Sequence, residues 1–282
     1  GDWLRENDAG SRTIAVSGKD RAAIMMAGQK PEGVFWWDDE RGFNTSVKPG
    51  ADAATALAPV AGFNTALDKE WTKAAPVWKA ADPLCASLDE SRVYAPALRI
   101  DHHVPPALRR DSAKPWREDK AFLGWLRASP LLDQVTLDLA GDFLERYKLG
   151  QRGATDVLTV SLSATDYIGH RYGNQGTEMC DQMAHLDLAL GTFLARIDRL
   201  NIPYAVVLTA DHGAVDAAER VADRGVPTGR VMLNLPAALN GLLRTRLGLD
   251  FDPILGADKG AYENQSLYID RRKADGRLVR KI

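Results

Sequence analysis

Long apolar runs are missing from this chain of 282 residues; the run from Tyr204 to Leu208, for example, is soon followed by the charged Asp211. A membrane-spanning helix needs about 20 apolar residues, so the pattern predicts no such helix. An excess of charge of either sign is also missing, because the formal net charge is -2. The chain therefore lacks the general basic field with which many proteins bind nucleic acid.

Cysteine is scarce as well. The 2 cysteines, Cys85 and Cys180, do not form a Cys-x-x-Cys motif, which excludes a zinc knuckle and a framework of several disulfides. They could form one disulfide or remain free thiols, and the sequence leaves both open. Hydrophobic residues make up 45% of the chain, which is enough to bury a substantial core.

Two short segments each place a carboxylate and an imidazole after a predicted strand. The pairs are Asp166 with His170, after the apolar run 156–162, and Asp211 with His212, after the run 204–208. We expect both runs to be buried parallel strands and both pairs to lie in loops at their carboxyl ends. Such oxygen and nitrogen donors suit Zn²⁺, and two ions about 4 Å apart are typical of phosphoryl transfer. The alternative for Asp211 is an Asx-type turn, which would not need the histidine.

These motifs carry a family resemblance. Asp-Tyr-Ile-Gly-His at 166–170 and Thr-Ala-Asp-His-Gly at 209–213 resemble the alkaline phosphatase superfamily, whose members include phosphodiesterases and nucleotide pyrophosphatases. Ile-Ala-Val-Ser-Gly-Lys-Asp-Arg at 14–21 resembles the strand and Lys-x-Arg element of the bacterial phosphate-irrepressible alkaline phosphatases, which use a threonine nucleophile. The resemblance implies that Lys19 and Arg21 contact the non-bridging oxygens of phosphate. We expect both on one face of a strand or its extension.

The resemblance implies a fold, a reaction and a cofactor. The fold is α/β, with an open, mostly parallel sheet flanked by helices and with an inserted cap region. The reaction is hydrolysis of small phosphate monoesters through a covalent phosphothreonine. Two Zn²⁺ ions assist it, one bound by Asp166 and His170 and the other by Asp211 and His212. The resemblance also implies a periplasmic or secreted protein.

Part of the family pattern has no match here. The family completes its zinc sites with an aspartate before the Lys-x-Arg element and a histidine near the carboxyl terminus, but the last histidine is His212. The nucleophilic threonine also precedes that element in the family. We therefore expect a middle fragment that is inactive alone; the other explanation is a catalytically dead homologue. Rival functions are a phosphodiesterase or nucleotide pyrophosphatase, which should lack the Lys-x-Arg pair, and a non-catalytic metal-binding domain.

The chain divides by composition into three regions. Residues 1–47 and 131–282 are predicted to form the α/β core. Residues 48–130, where proline recurs and no long period persists, are predicted to form a cap of short helices and loops. All 7 tryptophans precede Leu126, and we expect them to fill the core of this half or to line the entrance for the leaving group. Within the cap, Asp101, His102 and His103 are predicted to form an exposed loop.

Hydrophobic periodicity predicts the individual elements. Strands are expected at 12–18 and 156–162, and a hairpin at 33–37 and 43–47. Helices are expected at 132–149, 178–200 and 236–247. The helix 178–200 between strands 156–162 and 204–208 predicts a right-handed βαβ unit. Further strands are expected at 230–233, and at 265–269 with 277–282 as a closing hairpin.

Overall fold

The computed structural model describes residues 1–47, 49–95, 98–108, 110–111, 114–229, 235–255 and 267–281. It divides into two compact units, Gly1–Arg220 and Val221–Ile282. No helix among the described residues is long and apolar enough to span a membrane. The two units are described separately.

A mixed, mostly parallel sheet forms the centre of the first unit. Its strand order is β3-β2-β1-β6, with β1 (Thr13–Ser17), β2 (Gly33–Asp38), β3 (Gly42–Asn44) and β6 (Val157–Ser161). Strand β1 pairs in parallel with both β2 and β6, and β2 pairs antiparallel with β3. Every residue of β1 is buried, as expected for a parallel strand covered on both faces. The predicted strands 12–18 and 156–162 and the predicted hairpin are confirmed.

Helices surround this sheet. They are α1 (Asp2–Asn7), α2 (Asp20–Ala27), α3 (Ala53–Lys73), α4 (Lys120–Arg127), α5 (Pro130–Arg146), α6 (Ala164–Tyr172), α7 (Thr177–Asp198) and α8 (Ala218–Asp223), with 3-10 turns at Pro83–Leu88 and Trp116–Glu118. Helices α5 and α7, which pack against each other, confirm the helices predicted at 132–149 and 178–200. A separate antiparallel hairpin consists of β4 (Glu90–Ala95) and β5 (Leu98–His102).

The region 48–130 contains a long helix, which the sequence did not predict. Helix α3 has 21 residues and carries Pro59 inside it, and this proline hides the helical pattern. Asp52 caps the helix by accepting hydrogen bonds from the N–H groups of Ala54 and Thr55. Residues 48–130 share one compact unit with the sheet, and the bounds of the cap region stay a prediction.

Tryptophans fill the core of the first unit. The buried ones are Trp37, Trp71, Trp78, Trp116 and Trp125. The rings of Trp37, Trp71 and Trp116 contact one another: the centroid of Trp71 lies 5.9 Å from that of Trp37 and 4.9 Å from that of Trp116, and the centroids of Trp37 and Trp116 are 6.2 Å apart. Burial in the core is therefore the role of most of them, whereas Trp3 is 80% exposed.

A disulfide joins the 3-10 turn Pro83–Leu88 to helix α7. It links Cys85 to Cys180, with 5.6 Å between their Cα atoms and a sequence separation of 95. The choice that the sequence left open is thus settled in favour of a bridge.

The run from Tyr204 to Leu208 is not a strand, contrary to the prediction. Residues 202–217 form neither helix nor strand, and Val207 and Leu208 are 89% and 81% exposed. An apolar composition favours a buried strand, but a strand also needs a neighbour to hydrogen-bond, and no described strand pairs with this run. The predicted βαβ unit is therefore not formed.

The second unit corrects a further prediction. Helix α9 (Leu235–Leu247) confirms the helix expected at 236–247, whereas residues 230–234 lie outside the described residues. The closing hairpin is wrong, because Gly276–Val279 forms helix α10, capped by the Asp275 carboxylate. Ile269 pairs with Ile254 in an isolated antiparallel bridge instead.

Candidate functional site

Asp166 and His170 lie on helix α6 and not in a loop, contrary to the prediction. The helix begins at Ala164, soon after β6 ends at Ser161. Residues four apart share one face of a helix, and His170 Nε2 lies 3.3 Å from Asp166 Oδ1. The helix therefore fixes the relative position of the two predicted ligands.

A residue of helix α5 stabilises the start of helix α6. Asp133 Oδ1 accepts a hydrogen bond of 2.9 Å from the Ala164 N–H. Asp133 Oδ2 accepts another of 3.0 Å from the Gln182 amide, which also donates to the Thr165 hydroxyl. Asp133 is buried. It accepts a hydrogen bond from the N-terminus of helix α6, where the side chain of the N-cap residue Ser163 makes no capping hydrogen bond.

Asp211 and His212 lie in the irregular segment 202–217. His212 Nε2 is 4.0 Å from Asp166 Oδ1 and 3.6 Å from Asp211 Oδ2. One imidazole thus stands between the two carboxylates. His212 Nδ1 lies 2.9 Å from its neighbour's carbonyl, Gly213 O. When Nδ1 donates its proton there, Nε2 keeps the lone pair that faces Asp166.

Lys19 completes the group around Asp166. Its Nζ donates to Asp166 Oδ2 and lies 4.4 Å from the centre of the Tyr167 ring. Burial raises the pKa of the Asp166 carboxyl, but the hydrogen bond and charge of Lys19, with the charges of His170 and His212, outweigh it and lower the pKa. Asp166 is therefore held ionised, as a metal ligand or an ammonium partner must be.

Arg21 does not join this group in the described structure. Strand β1 ends at Ser17, Lys19 is the N-cap of α2, and Arg21 is an exposed residue in the first turn of that helix. The expectation that Lys19 and Arg21 alternate on one face of a strand is therefore wrong. The guanidinium of Arg21 makes no hydrogen bond or ion pair with another described residue.

The donor types suit zinc, although the arrangement is incomplete. Carboxylate oxygen and imidazole nitrogen are ordinary zinc ligands. The side chains of His170 and His212 are 78% and 58% exposed, so both rings are accessible. Within the part of the chain that the structure describes, no group of three or more His, Cys, Asp or Glu residues has the spacing of a metal site. The division of these ligands between two ions stays a prediction.

The prediction for one histidine outside this group was wrong. His102, expected in an exposed loop, is 2% exposed at the end of strand β5. Its Nδ1 lies 2.9 Å from the buried Glu178 carboxylate and its Nε2 lies 2.7 Å from the Tyr94 hydroxyl. This polar cluster holds the β4–β5 hairpin to the start of α7. No local pattern in the sequence predicts the cluster.

A family model described as type I phosphodiesterase / nucleotide pyrophosphatase matches residues 13–243. The chain belongs to this family. Its curated relatives include several alkaline phosphatases, which confirms the predicted membership of the alkaline phosphatase superfamily. The curated relatives named here are therefore phosphatase-type hydrolases.

Three relatives describe the extent of the similarity. Alkaline phosphatase PhoD of Zymomonas mobilis is 37% identical over 234 residues, which cover 82% of this chain and 37% of that protein. Alkaline phosphatase PhoK of Sphingomonas sp is 33% identical over 260 residues, covering 92% of this chain and 43% of PhoK. Alkaline phosphatase PafA of Elizabethkingia meningoseptica is 30% identical over 275 residues, covering 95% of this chain and 48% of PafA. This chain thus spans less than half of each relative.

A solved structure shows the same fold. The crystal structure of wild type alkaline phosphatase PafA superimposes with a TM-score of 0.73 and 26% identity, covering 96% of this chain and 50% of that chain. The predicted α/β fold with a mostly parallel sheet and flanking helices is confirmed.

Proposed function

We propose that this chain supplies metal ligands and phosphate-binding cations to a zinc-dependent hydrolase of phosphate monoesters. The observation that carries the proposal is the approach of His170, His212 and Lys19 to the single carboxylate of Asp166. Residues far apart in sequence are brought together there with the donor types that zinc and phosphate require. The similarity to curated alkaline phosphatases supports monoesters as substrates.

The ligands proposed for the two zinc ions are Asp166, His170, Asp211 and His212. When bound, zinc supplies Lewis-acid stabilisation of the attacking and leaving oxygens. Lys19 brings a positive charge beside the same carboxylate, where it can stabilise charge on the non-bridging oxygens of phosphate. Arg21, two residues further along the chain, is exposed and is the second proposed cation. The covalent phosphothreonine belongs to the proposal, and we assign its nucleophile to no residue of this chain.

The second candidate function is hydrolysis of phosphodiesters, which the family model's own description favours. The pair Lys19 and Arg21 favours monoesters instead. Two cations aimed at non-bridging oxygens stabilise a dianionic monoester more than a diester, which carries one charge there.

The compartment is part of the proposal. The disulfide between Cys85 and Cys180 is typical of proteins that fold in an oxidising environment, such as the periplasm or the outside of the cell. It supports the periplasmic or secreted location that the resemblance implies. Small phosphate esters rather than nucleic acid are the proposed substrates, because the net charge of -2 offers no general attraction for nucleic acid.

The test compares Lys19→Ala with the exposed control Lys69→Ala in the full-length protein. We expect Lys19→Ala to reduce kcat/KM for an aryl phosphate by roughly ten-fold to a few hundred-fold, since a charge-assisted contact contributes about 1.5 to 3 kcal/mol. Hydrolysis of a bis-aryl phosphate should change much less. Equal losses on both esters would favour the phosphodiesterase, and wild-type protein that turns over neither ester with zinc would refute both candidates.

The 282-residue chain alone should not hydrolyse the aryl phosphate even with excess zinc. It offers two ligands to each proposed ion, whereas catalytic zinc normally has three protein ligands. The amount of zinc that the chain retains after gel filtration measures how tightly these ligands hold the two ions. Two tightly held zinc ions per chain, or turnover at a rate typical of phosphatases, would show that other residues complete the site.

A further inference from the structure

The segment that carries His212 has few attachments of its own. Residues 202–217 form neither helix nor strand, and the side chains of Asp211 and His212 are 90% and 58% exposed. Among the described residues, no helix or sheet hydrogen bonds hold His212 beside Asp166. The side-chain contacts of the segment are therefore the described attachments that can position it.

Asp216, four residues after His212, makes such contacts. Its side chain is 1% exposed, and Oδ1 accepts hydrogen bonds from the N–H groups of Asn174 at 2.9 Å and Gln175 at 3.2 Å. The Asn174 side-chain amide returns a hydrogen bond of 2.5 Å to the carbonyl of Val215. The two segments are thus joined in both directions.

The loop that receives Asp216 follows directly on helix α6, which carries Asp166 and His170. Helix α6 ends at Tyr172, and Gly173 turns the chain with a φ of +92°. A Cβ atom on Gly173 would lie 2.8 Å from Asp216 Oδ1. The close approach of the Asp216 carboxylate therefore requires glycine at this position for steric as well as conformational reasons.

Arg220 supports the same carboxylate from helix α8. Its Nη1 donates to the Tyr172 carbonyl at 3.0 Å and lies 3.4 Å from Asp216 Oδ1. Its Nε donates to the Glu90 carboxylate on strand β4 at 2.7 Å. Arg220 and Asp216 are both buried, so the ion pair between them is shielded from solvent.

We propose that Asp216 is a positioning residue that holds the Asp211–His212 segment against the end of helix α6, so that His212 reaches Asp166. This inference rests on the proposed function for its catalytic meaning, because it assigns Asp216 to the zinc and phosphate site through His212. Asp216 itself does not touch the predicted ligands. Its carboxylate ties together the two segments on which they lie.

The first experiment needs no metal. Hydrogen exchange of the amides of Asn174 and Gln175, which donate to Asp216, and of the segment 209–217 is measured in zinc-free, full-length protein for wild type, Asp216→Ala and Asp216→Asn, with exposed Asp187→Asn as the matched control. We expect several-fold faster exchange in Asp216→Ala, a smaller change in Asp216→Asn, which keeps one acceptor oxygen, and no change in the control. Unchanged exchange in both Asp216 variants would overturn the inference, whatever the protein binds.

The second experiment asks whether Asp216 acts through His212. Zinc affinity is measured by chelator competition for wild type, Asp216→Asn, His212→Ala and the double variant. We expect Asp216→Asn to weaken zinc binding by roughly ten- to a hundred-fold, as loss of a residue that orients a ligand does, and to have no further effect once His212 is alanine. Equal losses in both backgrounds would show a general structural role and contradict the inference. Wild-type protein that binds no zinc would instead overturn the proposed function, and hydrogen exchange would still decide the role of Asp216.

Discussion

Asp133 on helix α5 holds the first turn of helix α6 by accepting the hydrogen bond of the Ala164 N–H at 2.9 Å. Helix α6 carries Asp166 and His170, so a buried carboxyl holds the N-terminus of the helix on which these two candidate ligands lie. Burial raises the pKa of Asp133 to about 6 from an ordinary value of 3.8, and its hydrogen bonds with Ala164 and Gln182 offset this only in part.

The raised pKa of Asp133 predicts a pH-dependent stability. The folded chain binds this proton more tightly than the unfolded chain, so the group favours folding below pH ~4 and loses that contribution as the pH rises through about 6. Asp133→Asn has no such titration. We expect the free energy of unfolding of wild type, relative to Asp133→Asn, to fall by about 2 to 3 kcal/mol between pH 4 and pH 8. Urea unfolding at both pH values measures this difference in the free energy of unfolding, with Asp187→Asn as control. The same difference between wild type and Asp133→Asn at both pH values would contradict the prediction.

Asp166→Asn should remove zinc binding from the full-length protein. Asp166 is the carboxylate that His170, His212 and Lys19 all approach, and an amide oxygen is a far weaker zinc ligand than a carboxylate. Zinc content after dialysis, compared with that of Asp187→Asn, is the measurement. Unchanged zinc content in Asp166→Asn would remove Asp166 from the ligand set.

Loss of the disulfide should destabilise the chain. The bridge between Cys85 and Cys180 closes a loop with a sequence separation of 95, and removing a native disulfide typically costs about 2 to 5 kcal/mol. We expect this loss in the Cys85→Ser/Cys180→Ser double variant by urea unfolding. Wild type unfolded in the presence of a reductant should resemble the variant. If the variant is as stable as oxidised wild type, the bridge has no stabilising role.

Glu178→Ala should destabilise the fold without touching the candidate ligands. Glu178 is fully buried and accepts from His102 Nδ1, so its removal leaves a buried imidazole without its acceptor. Breaking a buried pair on one side costs about 3 to 5 kcal/mol. The exposed Glu70→Ala in helix α3 should change stability by less than ~0.5 kcal/mol. Thermal unfolding of the two variants compares them, and equal melting temperatures would contradict the assignment.

Elements with a strong local signal were predictable from the sequence. Strand β1 is a run of buried, mostly β-branched or small residues, and helix α7 repeats its apolar residues at helical spacing. Helix α3 was hidden because Pro59 interrupts its pattern, although Asp52 caps it and Val60, Leu67 and Trp71 pack into the core.

Elements that depend on a distant partner were not predictable. Helix α6 begins where Asp133, 31 residues earlier, satisfies the Ala164 N–H, and a local pattern does not contain that contact. The run 204–208 has the composition of a strand, but pairing requires a neighbour that composition does not specify.

The candidate site was predictable in its residue types more than in its geometry. The contact between Lys19 and Asp166 joins residues 147 apart, and it follows from the parallel pairing of β1 with β6, which brings their carboxyl ends together. The sequence does not predict the hydrogen bonds from Asn174 and Gln175 to Asp216, because several carboxylates near Asp216 in the sequence could equally have accepted them.

The exposed run from Tyr204 to Thr209 has a consequence for handling the isolated chain. It contains no charge and no proline, and Val206, Val207 and Leu208 are 59%, 89% and 81% exposed. Short segments with high β-propensity and low charge pair readily with copies of themselves, which is how cross-β aggregates begin. We therefore expect this hexapeptide to set the concentration at which the chain precipitates, and a charged side chain at Val207 to raise that concentration.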